Sequence, residues 1–418
     1  MTASPIRRAL ILLWLGFIMF SATAQTINTE EVLRRVADHV IANTSFQFVN
    51  AKTGEKYNST KGLSNPADIH TDSKYNRWEY VNGVLTVGMI QTAEVLNDKK
   101  YSDYSVKNFD FIFSNVGLFE DLYKNKTPRS EYTAYFRMGS LDDVGAMAAG
   151  LCDVDALSHQ AAYRAYLDKA ANYISKGQLR LPDGTLSRPE PRYMTLWADD
   201  MYMSIPFLAR MGKMTGDAKY FDDCIKQVEN FNKYLYDPAT GLYFHNYYSD
   251  VNMNGVAHWG RCNGWIALAT VQLLNNLPAN HPKRQELINY LLRQIVGYSR
   301  YQDQTGLWHQ LLDKPDSYLE ASVTAMFTYA IAKAVNEGWI NKTYINIARQ
   351  GWKGLAAKIT PDGQMPDVCI GTGIEDDIKF YYTRPAALND THGLGAFLMA
   401  GSEMLRAERN NYGPLLAK

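Results

Sequence analysis

Helical periodicity that returns about twelve times without a linker is the feature that most constrains this chain. Residues 78–96 show it clearly: Val81, Val84, Leu85, Val87 and Ile90 recur at the spacing that lines one face of a helix. The pattern returns at roughly 30–43, 101–115, 141–151, 158–175 and 195–213. It continues at roughly 218–235, 260–275, 284–299, 318–335, 343–357 and 390–407. Turn signals lie between the segments, at Asp183-Gly184, Thr215-Gly216, Gly306 and Asp362-Gly363. Long alternating β patterns, Ser/Gly/Pro-rich linkers and low-complexity tracts are missing. The pattern predicts an all-α fold, six helical hairpins closed into a toroid, the (α/α)6 barrel. Inner helices of such a barrel touch both the centre and the outer ring, so they carry apolar residues on most sides. Met201, Met203, Ile205, Phe207 and Leu208 fit that description. An α-solenoid would show a fixed repeat period, and none is present.

The first residues read as a secretory leader. Arg7 and Arg8 precede an apolar run from Ala9 to Phe20, and Ala22-Thr23-Ala24 supplies the small-residue pattern for cleavage before Gln25. The run is too short to span a bilayer comfortably. Residues 1–24 are therefore expected to be a signal peptide, and 25–418 a single exported, periplasmic domain with no membrane insertion after cleavage. The 43 basic and 43 acidic residues cancel, so there is no cationic excess for nucleic acid. Cys152, Cys224, Cys262 and Cys369 form no C-x-x-C pair and read as buried thiols. No metal-ligand cluster and no H-E-x-x-H is visible. The chain is expected to be a monomer or homodimer.

Four segments dense in Trp, Asp, His and Arg fall at loop-to-helix junctions. In the first, Asp142 and Asp143 open an apolar helix, which helix capping also explains. In the second, Trp197-Ala198-Asp199-Asp200-Met201-Tyr202-Met203, carboxylates sit inside an apolar and aromatic run. Desolvation disfavours a charged carboxylate, so an acid there is suited to keep a proton and donate it. The third runs from Leu242-Tyr243-Phe244-His245 to Trp259-Gly260-Arg261-Cys262-Asn263-Gly264-Trp265. Trp faces suit sugar rings, and the forked donors of Arg suit a carboxylate. The competing reading is a packed Trp pair with Arg between them, and His245 alone is as well explained as a structural histidine. The fourth, Gly306-Leu307-Trp308-His309-Gln310, offers Trp308 and His309 as cleft residues. Glu320 and the cluster Asn389-Asp390-Thr391-His392-Gly393 both read as helix caps. There is no G-x-S-x-G elbow, P-loop or dinucleotide fingerprint.

Taken together, and in this order along nearly the whole chain, these segments resemble glycoside hydrolase family 105, the unsaturated rhamnogalacturonyl hydrolases, related to the unsaturated glucuronyl hydrolases of family 88. The Trp259-Gly260-Arg261-Cys262-Asn263-Gly264-Trp265 block is the most specific part. Cys262 departs from the family, which usually has Gly or Ala there. The resemblance implies an (α/α)6 barrel and an exo-acting enzyme. Its substrate is the 4,5-unsaturated uronic acid that a polysaccharide lyase leaves at a non-reducing end. An aspartic acid protonates C4, water adds at C5, and the hemiketal collapses to release an open keto acid. By position Asp199 matches that acid, with Asp200 the alternative if the register is off by one. The Asp142-Asp143 pair matches the segment of a second carboxylate, with Asp143 taken as the catalytic partner and Asp142 as a substrate contact. His245, Arg261, Trp197, Trp259 and Trp265 match substrate-binding positions, Arg261 being the candidate for the uronate carboxylate, and the resemblance implies neither a metal nor an organic cofactor. A polysaccharide lyase, an amino-sugar epimerase or a non-catalytic glycan binder are the competing functions on such a barrel. The glycan itself, whether rhamnogalacturonan, ulvan, arabinogalactan or glycosaminoglycan, is not encoded in these motifs.

Overall fold

The computed structural model describes residues 28–126 and 129–412, so the expected leader lies outside the described residues. Twelve long helices alternate between two rings. The outer ring holds α1 (Thr29–Ala42), α3 (Lys100–Asn115), α5 (Ala161–Asn172), α7 (Ala218–Leu235), α9 (Arg284–Ser299) and α11 (Ile345–Ala356). The inner ring holds α2 (Tyr80–Leu96), α4 (Leu141–Leu157), α6 (Ile205–Thr215), α8 (Gly260–Asn276), α10 (Ala321–Asn336) and α12 (Thr391–Arg409). Each inner helix packs on the next, and α12 returns to α2, which closes the toroid. The (α/α)6 barrel expected from the periodicity is thus the observed fold. The two rings differ as their sequences require. Inner α8 buries every residue from Gly260 to Leu274, whereas outer α7 buries one stripe of Phe221, Cys224, Ile225, Val228, Phe231 and Leu235.

Local chemistry sets the helix ends. Asn28 and Asp217 cap α1 and α7 by accepting first-turn backbone N–H groups. Gly216, at φ 72°, ends α6 in the left-handed conformation that glycine adopts freely. One expected helix is shorter than its sequence pattern. Residues 195–213 divide into a strand, β1 (Thr195–Trp197), a single 3-10 turn over Ala198–Met201, and only then α6. The reason is tertiary: β1 pairs antiparallel with β2 (Asn246–Tyr248), which pairs with β3 (Met253–Asn254). Pro206, in the first turn of α6, lacks the N–H that a helix continuing from residue 195 would need.

All six inner helices run in the same direction. Their C-terminal turns meet around a polar cavity of about 560 Å³, where Arg210 pairs with Asp153 and Lys333 with Glu403. Cations beside helix C-termini offset the negative ends of the dipoles. The six N-termini converge at the opposite end, together with the short strands; the Glu320 and Asp390 carboxylates cap α10 and α12, and the uncapped N-termini add partial positive charge there.

Glycines let the inner helices approach closely. A Cβ on Gly83 would lie 2.2 Å from the Ala146 carbonyl oxygen, and one on Gly145 would lie 1.6 Å from that of Met203. The second contact fixes the start of α4 against the chain that follows Asp199 and Asp200. Gly145→Ala is therefore expected to destabilise the fold by about 1–3 kcal/mol through overpacking. It should also separate Asp142 from its partner at the site. A thermal melt superimposable on wild type would show that the two backbones part without cost.

Candidate active site

The register of the small sheet builds the centre of the site. Trp197 stands opposite Asn246, and the Ala198 N–H donates to the His245 carbonyl at 2.8 Å. The residues just beyond, Asp199 and His245, therefore face each other across the ladder. His245 Nε2 lies 3.0 Å from Asp199 Oδ2, and His245 Nδ1 lies 2.9 Å from the Tyr381 hydroxyl, which comes from a short helix at Ile378–Tyr382. His245 is wholly buried, whereas the Asp199 side chain keeps 14% of its surface exposed. Trp197 meets the His245 ring edge-on at 5.8 Å, and Trp259 lies over it at 4.7 Å. The indole N–H groups of Trp197 and Trp259 are buried and have no hydrogen-bond partner among the described residues.

A second group lies alongside. Arg188 grips Asp142 with two bonds, at 2.9 and 3.0 Å, and Asp200 through Nη2 and Nε at 2.6 and 3.0 Å. Its guanidinium also covers the Trp197 ring at 4.3 Å. Tyr80, the first residue of α2, feels the charges of Arg261, Asp142, Asp199 and Arg188. Its ring packs against Trp265 and His392 at 6.4 and 5.5 Å.

The two adjacent carboxyls are in opposite electrostatic situations. Burial alone raises Asp199, but the charge and hydrogen bond of His245, with Arg188 and Arg261 behind, hold it below the ordinary carboxylate value. Asp200 is fully buried, and desolvation pushes it up to about 6 against the opposing pull of Arg188. The expectation that Asp199 keeps a proton in its apolar run therefore needs correction. The acid with the raised value is Asp200, because the pairing of β1 with β2 brings His245 onto Asp199.

Other expectations shift as well. Asp143 is 2% exposed and turned away: Arg137 holds it through Nε at 2.8 Å, and the Gly139 N–H adds a bond at 2.9 Å. Asp142, half-buried on Arg188, is the carboxylate of the pair that faces Tyr80. Trp308 is a core residue, stacked edge-on with Phe327 and Tyr298 and donating its N–H to the Tyr298 carbonyl at 2.8 Å. His309 sits in a two-residue ladder with Leu319, its Nδ1 bonded to the Ser317 carbonyl. Neither Trp308 nor His309 joins the Asp199 cluster. Trp259 and Trp265 are near the centre, but their faces are covered, one by His245 and Arg261, the other by Tyr202 and Tyr80. Arg261 donates to the Cys369 and Ile370 carbonyls, and its buried Nε has no hydrogen-bond partner among the described residues. Cys262 is a buried thiol donating to the Trp259 carbonyl at 3.0 Å, and burial raises it well above the usual thiol value. The other three cysteines are likewise buried and free.

Arg188, Tyr80 and Tyr381 were missed in the sequence. A signal existed for Arg188, since a carboxylate inside an apolar run needs a cation. Among the described residues, no cluster of three His, Cys, Asp or Glu side chains could hold a metal, and no helix is long and apolar enough to cross a membrane.

The family model for Glycosyl Hydrolase Family 88 matches residues 54–408. The chain belongs to that family. Among its relatives, an unsaturated rhamnogalacturonyl hydrolase, YesR of Bacillus subtilis, is 29% identical over 218 residues, 52% of this chain and 61% of the relative. An unsaturated 3S-rhamnoglycuronyl hydrolase of Alteromonas sp. (strain LOR) is 30% identical over 215 residues, 50% of this chain and 51% of the relative. The match thus spans only about half to three-fifths of the length of these two relatives. A solved glycoside hydrolase of family 105 from C. acetobutylicum superposes with a TM-score of 0.68 at 26% identity, covering 78% of this chain and 93% of that one. A possible GH105 member from Salmonella enterica serovar Paratyphi A superposes with a TM-score of 0.74 at 24% identity, covering 96% and 100%. The second likeness concerns the fold alone.

Proposed function

We propose that this family 88 protein removes the 4,5-unsaturated uronic acid from the non-reducing end of lyase-generated oligosaccharides by hydrating the C4=C5 bond. The observation that carries this reading is the Asp199–His245–Tyr381 chain, under the charges of Arg188 and Arg261 at the end where the inner-helix N-termini converge. Cationic groups and helix N-termini suit an anionic sugar end.

Asp199 is ionised in the free protein, yet protonation of C4 needs its acid form. The substrate resolves this conflict. Its own carboxylate, brought beside Asp199 as water leaves, opposes the aspartate charge and favours proton uptake. The proton then passes from Asp199 to C4, the π bond breaks, and water forms the C5–O bond. The proton that the water loses restores Asp199, and the hemiketal opens. His245 holds the carboxyl in place, and Tyr381 fixes the imidazole from its other nitrogen. Asp142, held by Arg188 toward Tyr80, serves as a substrate contact, a role that its position favours over Asp143. Residues 1–24 act as a leader that exports the enzyme to the periplasm, where lyase products would meet it.

A Tyr–His pair could also be read as the base of a lyase. Burial raises the Tyr381 phenol far above its ordinary value, so it stays protonated and makes a poor base. The deciding experiment follows the ultraviolet absorbance of the conjugated double bond. Lyase products of rhamnogalacturonan, ulvan, arabinogalactan and glycosaminoglycans are incubated with the protein. A fall with one of them is expected and names the glycan. A rise on an intact polymer would replace the hydrolase by a lyase.

A further inference from the structure

The segment Asn389-Asp390-Thr391-His392 reads in the sequence as a helix cap, and Asp390 does cap α12, accepting the His392 N–H at 3.0 Å. Capping does not account for the His392 side chain. Its Nδ1 is hydrogen-bonded to the same Asp390 carboxylate. The ring leans on Tyr80 with centroids 5.5 Å apart, and Tyr80 in turn feels the charges of Arg261, Asp142 and Asp199. A Cβ added to Gly371 would lie 3.6 Å from His392 Nε2. The loop through Gly371 also supplies the Cys369 and Ile370 carbonyls that hold the Arg261 head. The side chain is 13% exposed, and among the described residues Nε2 has no hydrogen-bond partner. A histidine fixed by a carboxylate at one nitrogen and open at the other has one atom to offer a ligand.

The charged and titratable groups facing the ring are Asp390 on its own turn, Arg261 from α8, Glu320 from the cap of α10, and Tyr80 from α2. Burial and then Arg261 lower His392 below the ordinary histidine value, against the pull of Asp390 and Glu320. Burial raises Asp390, but its bond to His392, the charge of that ring and Arg261 hold it low overall. At neutral pH the pair is therefore a neutral imidazole donating Nδ1–H to a carboxylate, which leaves a lone pair on Nε2.

We propose that His392 is a substrate-binding residue, positioned by Asp390, whose Nε2 accepts a hydrogen bond from a hydroxyl of the bound oligosaccharide. This rests on the reading of the Asp199 cluster as the active site. The two can fail separately. Wild-type protein that consumes none of the unsaturated lyase products would overturn that reading.

The test of His392 measures binding by calorimetry in an Asp199→Asn background, with the lyase product that wild type consumes. Adding His392→Phe keeps the ring packing on Tyr80 and removes the acceptor, and affinity is expected to fall roughly tenfold. Adding Asp390→Asn keeps the cap but removes the charge that fixes the tautomer, and affinity should fall in the same direction. In the otherwise wild-type enzyme, His392→Phe should raise KM while leaving kcat within a few-fold. The nitrogen resonance of Nε2 should move when ligand saturates the Asp199→Asn protein. An affinity unchanged by His392→Phe, or an Nε2 resonance unmoved at saturation, would overturn the assignment. So would a loss confined to kcat.

Discussion

Asp199→Asn is expected to lower kcat by about a hundredfold to ten-thousandfold, the range that one positioned proton donor contributes. The amide oxygen can still accept from His245 Nε2, where Asp199 Oδ2 now lies at 3.0 Å, so the fold and the His245–Tyr381 bond should persist. Absorbance decay on the preferred lyase product measures the rate, and a thermal melt checks the fold. A variant with wild-type turnover and unchanged melting would remove Asp199 from the mechanism. The electrostatics add a pH signature. Acid catalysis by Asp199 requires its protonated form, and in the free protein His245, Arg188 and Arg261 hold the group low. The ratio kcat/KM reports the free enzyme and should decline from acid pH upward. The constant kcat reports the complex, where the substrate carboxylate raises the same group, so its alkaline limb should lie at higher pH. Coincident limbs would mean that the substrate does not shift Asp199.

The sequence and the structure agree where the signal is local. The helices carry their own periodicity and caps, so all twelve could be placed. The Asp199 and His245 motifs were also legible, because each sits in a short run of unusual composition. What one-dimensional pattern does not carry is direction. Trp308 and Trp197 stand in similar aromatic runs, but one faces Phe327 in the core and the other faces Arg188. Nor does pattern tell how two adjacent acids divide. Asp142 and Asp143 point to different arginines, and Asp199 and Asp200 to a histidine and an arginine. Tyr381 comes from a short helix and Arg188 from a loop, neither with a motif of its own, and only the fold brings them to the site. The short strand β1 replaced predicted helix because its partner, β2, is remote in sequence.

Arg188→Met should give the largest loss of stability in the site, and the loss should depend on pH. The substitution keeps an unbranched side chain of moderate length but leaves Asp200 fully buried without its cation. Removing one partner of a buried ion pair costs about 3–5 kcal/mol. Asp200 already sits at about 6, above the ordinary 3.8. A carboxyl raised by folding contributes stability that is full below its unfolded value and is lost as pH rises through its folded value. In wild type that loss is complete soon above pH 6, where ionised Asp200 is held by Arg188. Without Arg188 burial is unopposed, the folded value climbs, and stability continues to fall at higher pH. The two proteins should therefore melt closer together near pH 5 and separate by the full amount near pH 8. Activity should fall with stability, since Asp142 loses the fork that aims it at Tyr80, Trp197 loses its cover, and Asp199 loses one of the cations that tune it. Melting curves at the two pH values decide the matter. A deficit equal at both would place the cost in packing, and no deficit at either would show that Arg188 does not hold Asp200 at all.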